Sequence, residues 1–306
     1  MRDSSVQLQV VEDFFKTGRL RLRTRARCVE IRRPLLMGIL NINNDSFSRD
    51  GSLDPGWAID RAAEMVREGA DIIDVGGESA RTNRTAISET EEIDRVGPFV
   101  EAFAQMAQSL PSRPGQLHPP LLSINTWRPN VAREILKRGG DILNDMSGLP
   151  TDENARICAE ADCALLIMHS VGEPKVAHTH VVYDDVLAAV GAFFEEKIAL
   201  AVAAGVPRES LILDPGIDFA KPPADNLTLL RELPHLSRFG LPLLLPISRK
   251  STIGRVLDIP DPRDRDAATC ACLAVTMQRG ASIFRVHHVP AMRMAREVLE
   301  WITASI

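Results

Sequence analysis

The chain has 306 residues, of which 45% are hydrophobic and 25% charged, and its formal net charge at pH 7 is −5. This composition excludes a disordered chain, because it supplies enough apolar surface for a large core. The acidic balance argues against a broad nucleic-acid-binding surface, which is usually basic, so we expect any bound anion to be small.

The first twenty residues, MRDSSVQLQVVEDFFKTGRL, contain acidic residues within their apolar part. Neither a signal peptide nor a membrane span is predicted from such a segment. The five cysteines are scattered and form no C-x-x-C pair, which favours reduced thiols over a disulfide framework or a zinc site. We therefore expect a cytoplasmic protein that does not enter a membrane.

After a basic lead-in, short apolar runs alternate with longer amphipathic segments. The predicted strands are residues 35–41, 71–76, 121–125, 141–145, 164–169, 211–214, 241–248 and 282–287. The predicted helices are residues 56–68, 90–108, 129–138, 152–161, 183–204, 225–233, 263–279 and 289–303. Repeated strand and helix pairs without a linker-like break favour a single (β/α)₈ TIM barrel of the α/β class over an open doubly wound sheet. We predict an N-terminal strand or hairpin extension at 1–34 and the barrel at 35–306.

Polar residues stand where nearly every predicted strand ends. They are Asn41, Asp74 with Glu78, Asn125, Asn144 with Asp145, His169, Asp214, the run Ser248 to Ser251, and Arg285 with His287. One such residue alone is best explained as a helix cap or a turn residue. In a TIM barrel, however, the strand ends converge on one mouth, and so many polar groups there indicate a ligand site.

These residues fall into two chemical groups. Arg81, Arg285 and His287 supply cationic donors, and Asn41 offers a hard oxygen of the kind that magnesium shares with phosphate, so this group favours a diphosphate site. The other group mixes acceptors with donors, which suits the edge of an aminated bicyclic ring. Its members are Asp74, Asn125, Asn144, Asp214 and Lys250.

Six motifs, in order along residues 35–290, resemble those of the dihydropteroate synthase family. They are MGILNINNDSFS (37–48), GADIIDVGGESAR (69–81), ILNDMSGL (142–149), LILDPGIDFAK (211–221), SRKS (248–251) and FRVH (284–287). The resemblance implies a (β/α)₈ enzyme that joins 6-hydroxymethyl-7,8-dihydropterin diphosphate to p-aminobenzoate, forming 7,8-dihydropteroate and diphosphate for folate synthesis.

The resemblance also assigns roles by position. The pterin would be held by Asp74, Asn125, Asn144, Asp214 and Lys250, of which Asp74, Asp214 and Lys250 would also act in catalysis. The diphosphate would be bound by Asn41, Arg81, Arg285 and His287, with Mg²⁺ on Asn41. Ser251 would help to hold the aminobenzoate carboxylate, and Arg249 and Phe219 would border that pocket. Related helices of the family form a homodimer, which we also expect here.

The chain departs from the family pattern at several positions. Asn125 stands at a usual aspartate, so it offers an acceptor oxygen and an amide donor but no negative charge. Ala80 and Thr82 replace a threonine and a proline near the expected aminobenzoate site, Asp218 replaces a glycine, and His288 replaces an aspartate. The first loop, NINNDSFSRDG, lacks a usual threonine and proline and contains Arg49.

Two other functions are compatible with parts of the pattern. A pterin-binding methyltransferase barrel would share the acidic and amide strand ends, but SRKS and RVH argue against it. A catalytically silent pterin-binding paralogue is motivated by Asn125 and Ala80. The pair His178 and His180 has a spacing that could bind a metal ion, but the segment supplies no evident third ligand, so we do not predict a site there.

Overall fold

The computed structural model of the chain describes residues 20–43, 51–78, 85–176 and 181–303. Arg81, the diphosphate ligand suggested by the sequence, lies outside the described residues. The same is true of Arg49, of Ala80 and Thr82, and of the pair His178 and His180.

The chain folds into alternating strands and helices. The strands are β1 Arg21–Arg23, β2 Cys28–Glu30, β3 Leu35–Asn41, β4 Ile72–Gly76, β5 Leu121–Asn125, β6 Ile142–Asp145, β7 Ala164–Met168, β8 Leu211–Asp214, β9 Leu244–Leu245 and β10 Ile283–Val286. The helices are α1 Pro55–Glu68, α2 Glu89–Ser109, α3 Pro129–Arg138, α4 Glu153–Ala161, α5 Val186–Ala203, α6 Pro223–Arg231, α7 Leu233–Leu236, α8 Ser251–Leu257, α9 Asp266–Met277 and α10 Val289–Thr303.

Strands β3 to β10 form a parallel sheet in the order β8-β7-β6-β5-β4-β3-β10-β9. The sheet curls until its two edges meet, where Leu213 and Leu243 form a parallel bridge and the Leu213 amide donates to the Pro242 carbonyl at 2.9 Å. The predicted TIM barrel is therefore confirmed. In a barrel of this order, β4 and β8 lie on opposite sides of the mouth.

The predicted N-terminal hairpin is also present. Strands β1 and β2 pair antiparallel, with Leu22 opposite Val29. Both side chains are buried and belong to the apolar cluster that fills the barrel interior, with Met37 of β3 and Ile212 of β8. The hairpin therefore closes the amino-terminal end of the barrel. The boundary at residue 34 stays a prediction.

A larger apolar cluster lies between the barrel and its helices. It joins outward residues of the strands, such as Val75 and Leu143, to helix residues such as Phe99 and Phe194. Strands buried on both faces read as continuous apolar runs, because both barrel surfaces are covered. Among the described residues, no helix is long and apolar enough to cross a membrane.

The predicted strand at 241–248 is wrong in extent, since β9 covers only Leu244 and Leu245. Pro242 and Pro246 flank these residues and have no N–H to donate to a neighbouring strand. The sequence reading also missed α8, which begins directly after Lys250. Both differences concern the rim of the barrel near the predicted site.

Candidate active site

Asp74 is the centre of a hydrogen-bonded network inside the barrel mouth. It lies on β4 with none of its surface exposed. Its carboxylate accepts from Ser123 Oγ at 2.6 Å, from Asn125 Nδ2 at 3.1 Å, and from Asn144 Nδ2 at 3.1 Å. Arg285 Nε of β10 donates to the same carboxylate at 2.7 Å. Four donors on three other strands therefore hold this charge in place.

Asn125, at the end of β5, is only 7% exposed and gives its amide N–H to Asp74. Its Oδ1 is buried and, within the part of the chain that the structure describes, accepts no hydrogen bond. An orphan acceptor of this kind is costly unless a ligand or water donates to it. The amide orientation follows from the network, since the donor must face the Asp74 carboxylate. Because Asn125 lies in the barrel mouth, this oxygen can accept a hydrogen bond from a ligand N–H or from water.

Asp214 ends β8 across the mouth from Asp74, and 3% of its surface is exposed. Burial raises the pKa of its carboxyl to about 6, even though the Gly216 amide donates to it and Lys250, Lys221 and Arg285 favour its charge. The Gly216 N to Asp214 Oδ1 distance is 2.7 Å. Asp214 can therefore change its charge within the physiological pH range.

Lys250 reaches from the loop after β9 towards β8. Its ammonium donates to the Ile217 carbonyl at 3.0 Å and lies 4.7 Å from the centre of the Phe219 ring. Burial lowers the pKa of Lys250, and the nearby carboxylates of Asp218 and Asp214 oppose that shift. The predicted ring-binding groups lie around one mouth of the barrel, with Asp74, Asn125, Asn144 and Asp214 on strands and Lys250 on the loop after β9.

The two predicted anion ligands at the end of β10, Arg285 and His287, differ in their surroundings. Arg285 keeps one side of its guanidinium on Asp74 and is partly exposed. Burial, together with Arg285, Arg249 and Lys250, lowers the pKa of His287 to about 3. The lowered pKa favours the neutral imidazole when no anion is bound, whereas the sequence analysis predicted a cationic donor. Its Nδ1 lies 3.0 Å from Ser248 Oγ.

Asn41 ends β3, which pairs with both β4 and β10. The side chain is partly exposed, next to the first loop and beside the strand that carries Arg285. Among the described residues, no cluster of three or more His, Cys, Asp or Glu side chains could hold a metal ion by itself. Magnesium rarely uses such a cage, because it takes one or two protein oxygens, substrate phosphate and water. The amide oxygen of Asn41 would supply one such protein ligand.

The three residues expected to border the aminobenzoate site lie on the β8 and β9 loops. The Arg249 guanidinium pairs with both carboxylate oxygens of Asp266, at 2.7 and 2.8 Å. Ser251, which is exposed, donates its hydroxyl to Asp218 Oδ2 at 2.8 Å. Phe219 packs beneath the Lys250 ammonium. Thus the Arg249 guanidinium is directed towards α9 by its pairing with Asp266, whereas Phe219 and Ser251 flank Lys250.

The remaining strand-end residues serve the scaffold. Glu78 binds Arg128 at 2.7 Å and Lys175 at 2.6 Å, which ties together the loops after β4, β5 and β7. Asp145 accepts from Ser147 and from Asn154 of α4. Burial lowers the pKa of His169 to about 3, and its ring packs edge-on against Phe193.

A cavity of about 60 Å³ opens between the loops that follow β5 to β8. Its walls include Trp127, Met146, Lys175 and Phe219. Flat apolar walls beside a few fixed polar groups are typical of sites for small aromatic ligands. The cavity has both apolar and charged walls, and Phe219 connects it to Lys250.

Sequence reasoning missed two buried cations that shape the site. Lys221 lies within the LILDPGIDFAK motif but had no assigned role; its ammonium donates to the carbonyls of Gly216 and Phe219, each at 3.0 Å. Burial lowers the pKa of Lys221 to about 7. Arg265 donates to the carbonyls of Arg249 and Lys250 at 3.0 and 3.2 Å, so it fixes the loop that carries Lys250. A buried position among backbone carbonyls leaves no local sequence signal.

The profile of the pterin-binding enzyme family matches residues 37–287. The chain is 40% identical over 271 residues to the dihydropteroate synthase of Synechocystis, covering 88% of this chain and 90% of that one. It is 38% identical over 285 residues to the dihydropteroate synthase of Escherichia coli, covering 92% and 96% of the two chains.

Solved structures of dihydropteroate synthases are also similar to this chain. The dihydropteroate synthase of Yersinia pestis, crystallised with a sulfonamide drug, superimposes with a TM-score of 0.83 at 35% identity, over 92% of this chain and 98% of that one. The Xanthomonas albilineans enzyme in complex with 7,8-dihydropteroate gives a TM-score of 0.80 at 33% identity, over 94% and 100% of the two chains.

Proposed function

This chain belongs to the pterin-binding enzyme family and catalyses dihydropteroate synthesis, and we propose how its residues carry out that reaction. The enzyme joins 6-hydroxymethyl-7,8-dihydropterin diphosphate to p-aminobenzoate. The bond between the exocyclic carbon and the diphosphate oxygen breaks, and a bond from that carbon to the amine nitrogen forms. The amine loses one proton, and diphosphate leaves with the bonding electron pair.

The pterin lies among Asp74, Asn125, Asn144, Asp214 and Lys250. The observation that carries this assignment is the orphan Oδ1 of Asn125, a buried acceptor beside the charged Asp74 network. A pterin edge offers the ring N–H and exocyclic amine groups that such oxygens require. Asp214 accepts from the ring on the opposite side of the mouth, and Lys250 donates to its carbonyl or ring nitrogen atoms.

The diphosphate lies on the side of β10 and β3. Arg285 keeps Nε on Asp74 and offers its other N–H groups to the anion, since a guanidinium has five donors. His287 binds as a neutral donor, and the charge of the bound anion would raise its pKa. Arg81 completes the anion site in this proposal.

Asn41 is the residue that would hold Mg²⁺, together with diphosphate oxygens and water. The bound ion supplies positive charge that stabilises the leaving diphosphate. Arg285 adds to this from the protein side. Because it also contacts Asp74, Arg285 links the leaving-group site to the ring site.

The carboxylates stabilise the charge that develops on the pterin. As the diphosphate departs, the reduced ring pushes electrons towards its exocyclic carbon and becomes cationic. Asp74 and Asp214, fixed on opposite strands, favour that state electrostatically. The p-aminobenzoate nitrogen then attacks, held between Phe219 and Ser251, with Arg249 at the edge of that pocket. No protein nucleophile takes part.

The apolar outer face of the last helices supports a homodimer. Met294, Val298, Trp301 and Ile302 of α10 are exposed by 53%, 59%, 85% and 74%. Three of them recur at the spacing of one helix face, and exposed apolar stripes of this kind mark protein interfaces. We propose that this face binds a second copy in the cytoplasm. A light-scattering mass of two chains, reduced to one by Trp301→Glu, tests it; a wild-type mass of one chain contradicts it.

Diphosphate release is the direct test of the activity. The purified chain should release diphosphate only when pterin diphosphate, Mg²⁺ and p-aminobenzoate are all present, and the product should be 7,8-dihydropteroate by mass. A folded sample that binds the pterin without turnover would instead identify a silent paralogue.

A further inference from the structure

Three consecutive residues of the β8 loop, Ile217, Asp218 and Phe219, contact the segment that begins at Lys250. The Ile217 carbonyl accepts from Lys250 Nζ at 3.0 Å. The Phe219 ring lies 4.7 Å from the same ammonium. Asp218, between them, contacts the two residues that follow Lys250. The β8 loop therefore holds both the head group of Lys250 and the backbone from which its side chain extends.

The Asp218 carboxylate makes this second contact through several donors. It accepts from Ser251 Oγ at 2.8 Å, from the Thr252 amide at 3.2 Å and from the Thr252 hydroxyl. Asn226 of α6 donates to it at 3.3 Å and accepts from the Asp218 amide at 3.0 Å. Asp218 is thus held through both its backbone amide and its carboxylate, and it ties the start of α8 to the loop after β8.

Asp218 also changes the electrostatics of Lys250. The ammonium faces Asp214 and Lys221 from the β8 side, and Arg285 and His287 from β10. Burial and Arg285 favour the neutral amine, whereas the Asp218 and Asp214 carboxylates favour the ammonium, with Asp218 the stronger. The effect is mutual: burial raises the pKa of Asp218, but Lys250 and the Thr252 and Ser251 hydroxyls outweigh it, and the net pKa is lowered.

We propose that Asp218 is a positioning residue for Lys250: its carboxylate fixes the residues after Lys250 and places a negative charge near the ammonium that binds the pterin. The proposal rests on the proposed role of Lys250 in binding the pterin. Asp218 stands where the family pattern has glycine, and a glycine supplies neither the hydrogen bonds nor the charge. Compared with the family pattern, this chain therefore has one more carboxylate near Lys250.

The test is the pH dependence of kcat/KM for the pterin diphosphate at saturating p-aminobenzoate, from pH 6 upwards. In the wild type, kcat/KM should fall at high pH as Lys250 loses its proton, and this fall is the basic limb of the pH profile. Asp218→Asn keeps the size of the side chain and removes its charge, so the limb should move to lower pH by about one unit. Asp218→Glu should restore most of that shift. Asp225→Asn, a change of equal charge on α6 outside this cluster, should leave the limb in place.

A second variant shows which residue causes the basic limb of the pH profile. In Lys250→Arg the side chain stays charged over this pH range, so the limb should vanish if Lys250 causes it and persist if Lys221 does. Persistence would overturn the proposal. An Asp218→Asn limb at the wild-type position, with only a lower melting temperature, would overturn it in favour of a structural role.

A third outcome separates the two substrates. If Asp218→Asn lowers KM for p-aminobenzoate and leaves the limb unmoved, the carboxylate acts on the acceptor rather than on Lys250, and the proposal is wrong. Absence of diphosphate release from the wild-type chain would be a failure of the proposed function and would be seen before any variant is compared.

Discussion

Two buried aspartates, three residues apart in the chain, have different roles at the two ends of the barrel. Asp71 precedes β4 at the amino-terminal end, and Asp74 lies within β4 at the carboxyl-terminal end; neither is exposed. Each pairs with an arginine of the last βα unit, Asp71 with Arg296 at 2.9 Å and Asp74 with Arg285 at 2.7 Å.

The difference lies in the other partners. Asp71 accepts backbone N–H groups of Leu36 and Leu117, each at 3.0 Å, so it fixes the main chain. Asp74 accepts from side chains, those of Ser123, Asn125 and Asn144, which can rearrange around a ligand. A buried charge bound by backbone amides is part of the scaffold, whereas one bound by side chains near an orphan acceptor is prepared for a substrate.

The largest effect should come from Asp71. Asp71→Ala leaves Arg296 buried with less compensation and leaves two amides without their acceptor, so the free energy of unfolding should fall by about 3–5 kcal/mol. Urea denaturation followed by circular dichroism measures it. Glu30→Ala, which removes an exposed pairing on the hairpin, is the control and should leave the midpoint nearly unchanged. A small change in the free energy of unfolding for Asp71→Ala would show that Asp71 is not a scaffold residue, and the contrast between the two ends of the barrel would not hold.

Arg285→Ala should give the opposite pattern at the other end. It removes the cation that pairs with Asp74 and that, in the proposed mechanism, binds the leaving diphosphate, so kcat/KM should fall by about 10²–10³-fold while the chain stays folded. Diphosphate release measures the rate. Arg293→Ala, which removes an arginine paired with Glu297 on α10, should retain wild-type activity. Full activity of Arg285→Ala would show that the anion site lies elsewhere.

The third prediction concerns pH. The pKa of Asp214 is raised to about 6, so kcat/KM for the pterin diphosphate should fall as the pH drops through about 6 and this carboxylate is neutralised. A raised carboxyl pKa contributes stability that is complete below the unfolded-state pKa and lost as the pH rises through about 6. Protonation of Asp214 therefore does not unfold the chain. An acid limb that coincides with loss of circular dichroism signal would contradict this assignment.

The smallest effect should come from Asn125→Asp. The Asn125 amide donates to Asp74 at 3.1 Å, so a carboxylate there would replace a donor with a like charge. We expect kcat/KM at pH 7 to fall by up to about tenfold, because one of the two carboxylates would then tend to stay protonated. A higher turnover would show that Asp74 and Asp214 do not supply enough negative charge alone. Asn125→Gln is the control for the geometry of the amide.

Much of the fold follows from the sequence because parallel barrel strands are buried on both faces and read as apolar runs. The predicted limits of β3, β5 and β8 agree with the structure for this reason. The polar strand ends were also predictable, since topology places them at one mouth. The short length of β9 does not follow from its apolar run, because Pro242 and Pro246 limit its pairing with the neighbouring strands.

The contacts that tune the site could not be read from the sequence. The lowered pKa of His287 results from burial beside Arg285, its near neighbour in the chain, and beside Arg249 and Lys250, which the fold brings from the loop after β9. Arg265 and Lys221 donate to backbone carbonyls, which every residue has, so no residue pattern reveals these bonds. Similarly, Asp218 was recognised as a departure from the family, but its partners Ser251 and Thr252 are known only from the fold.

The bridge between Leu213 and Leu243 has a dynamic consequence. This seam separates the strand of Asp214 from the loop of Lys250, and the prolines on either side of β9 leave it with little ladder bonding. The barrel should therefore open most easily here. In hydrogen-exchange measurements, the amides of β8 and β9 should exchange faster than those of β3 to β5. A ligand that contacts both Asp214 and Lys250 should slow the exchange of the β8 and β9 amides, because it would connect the two sides of the seam.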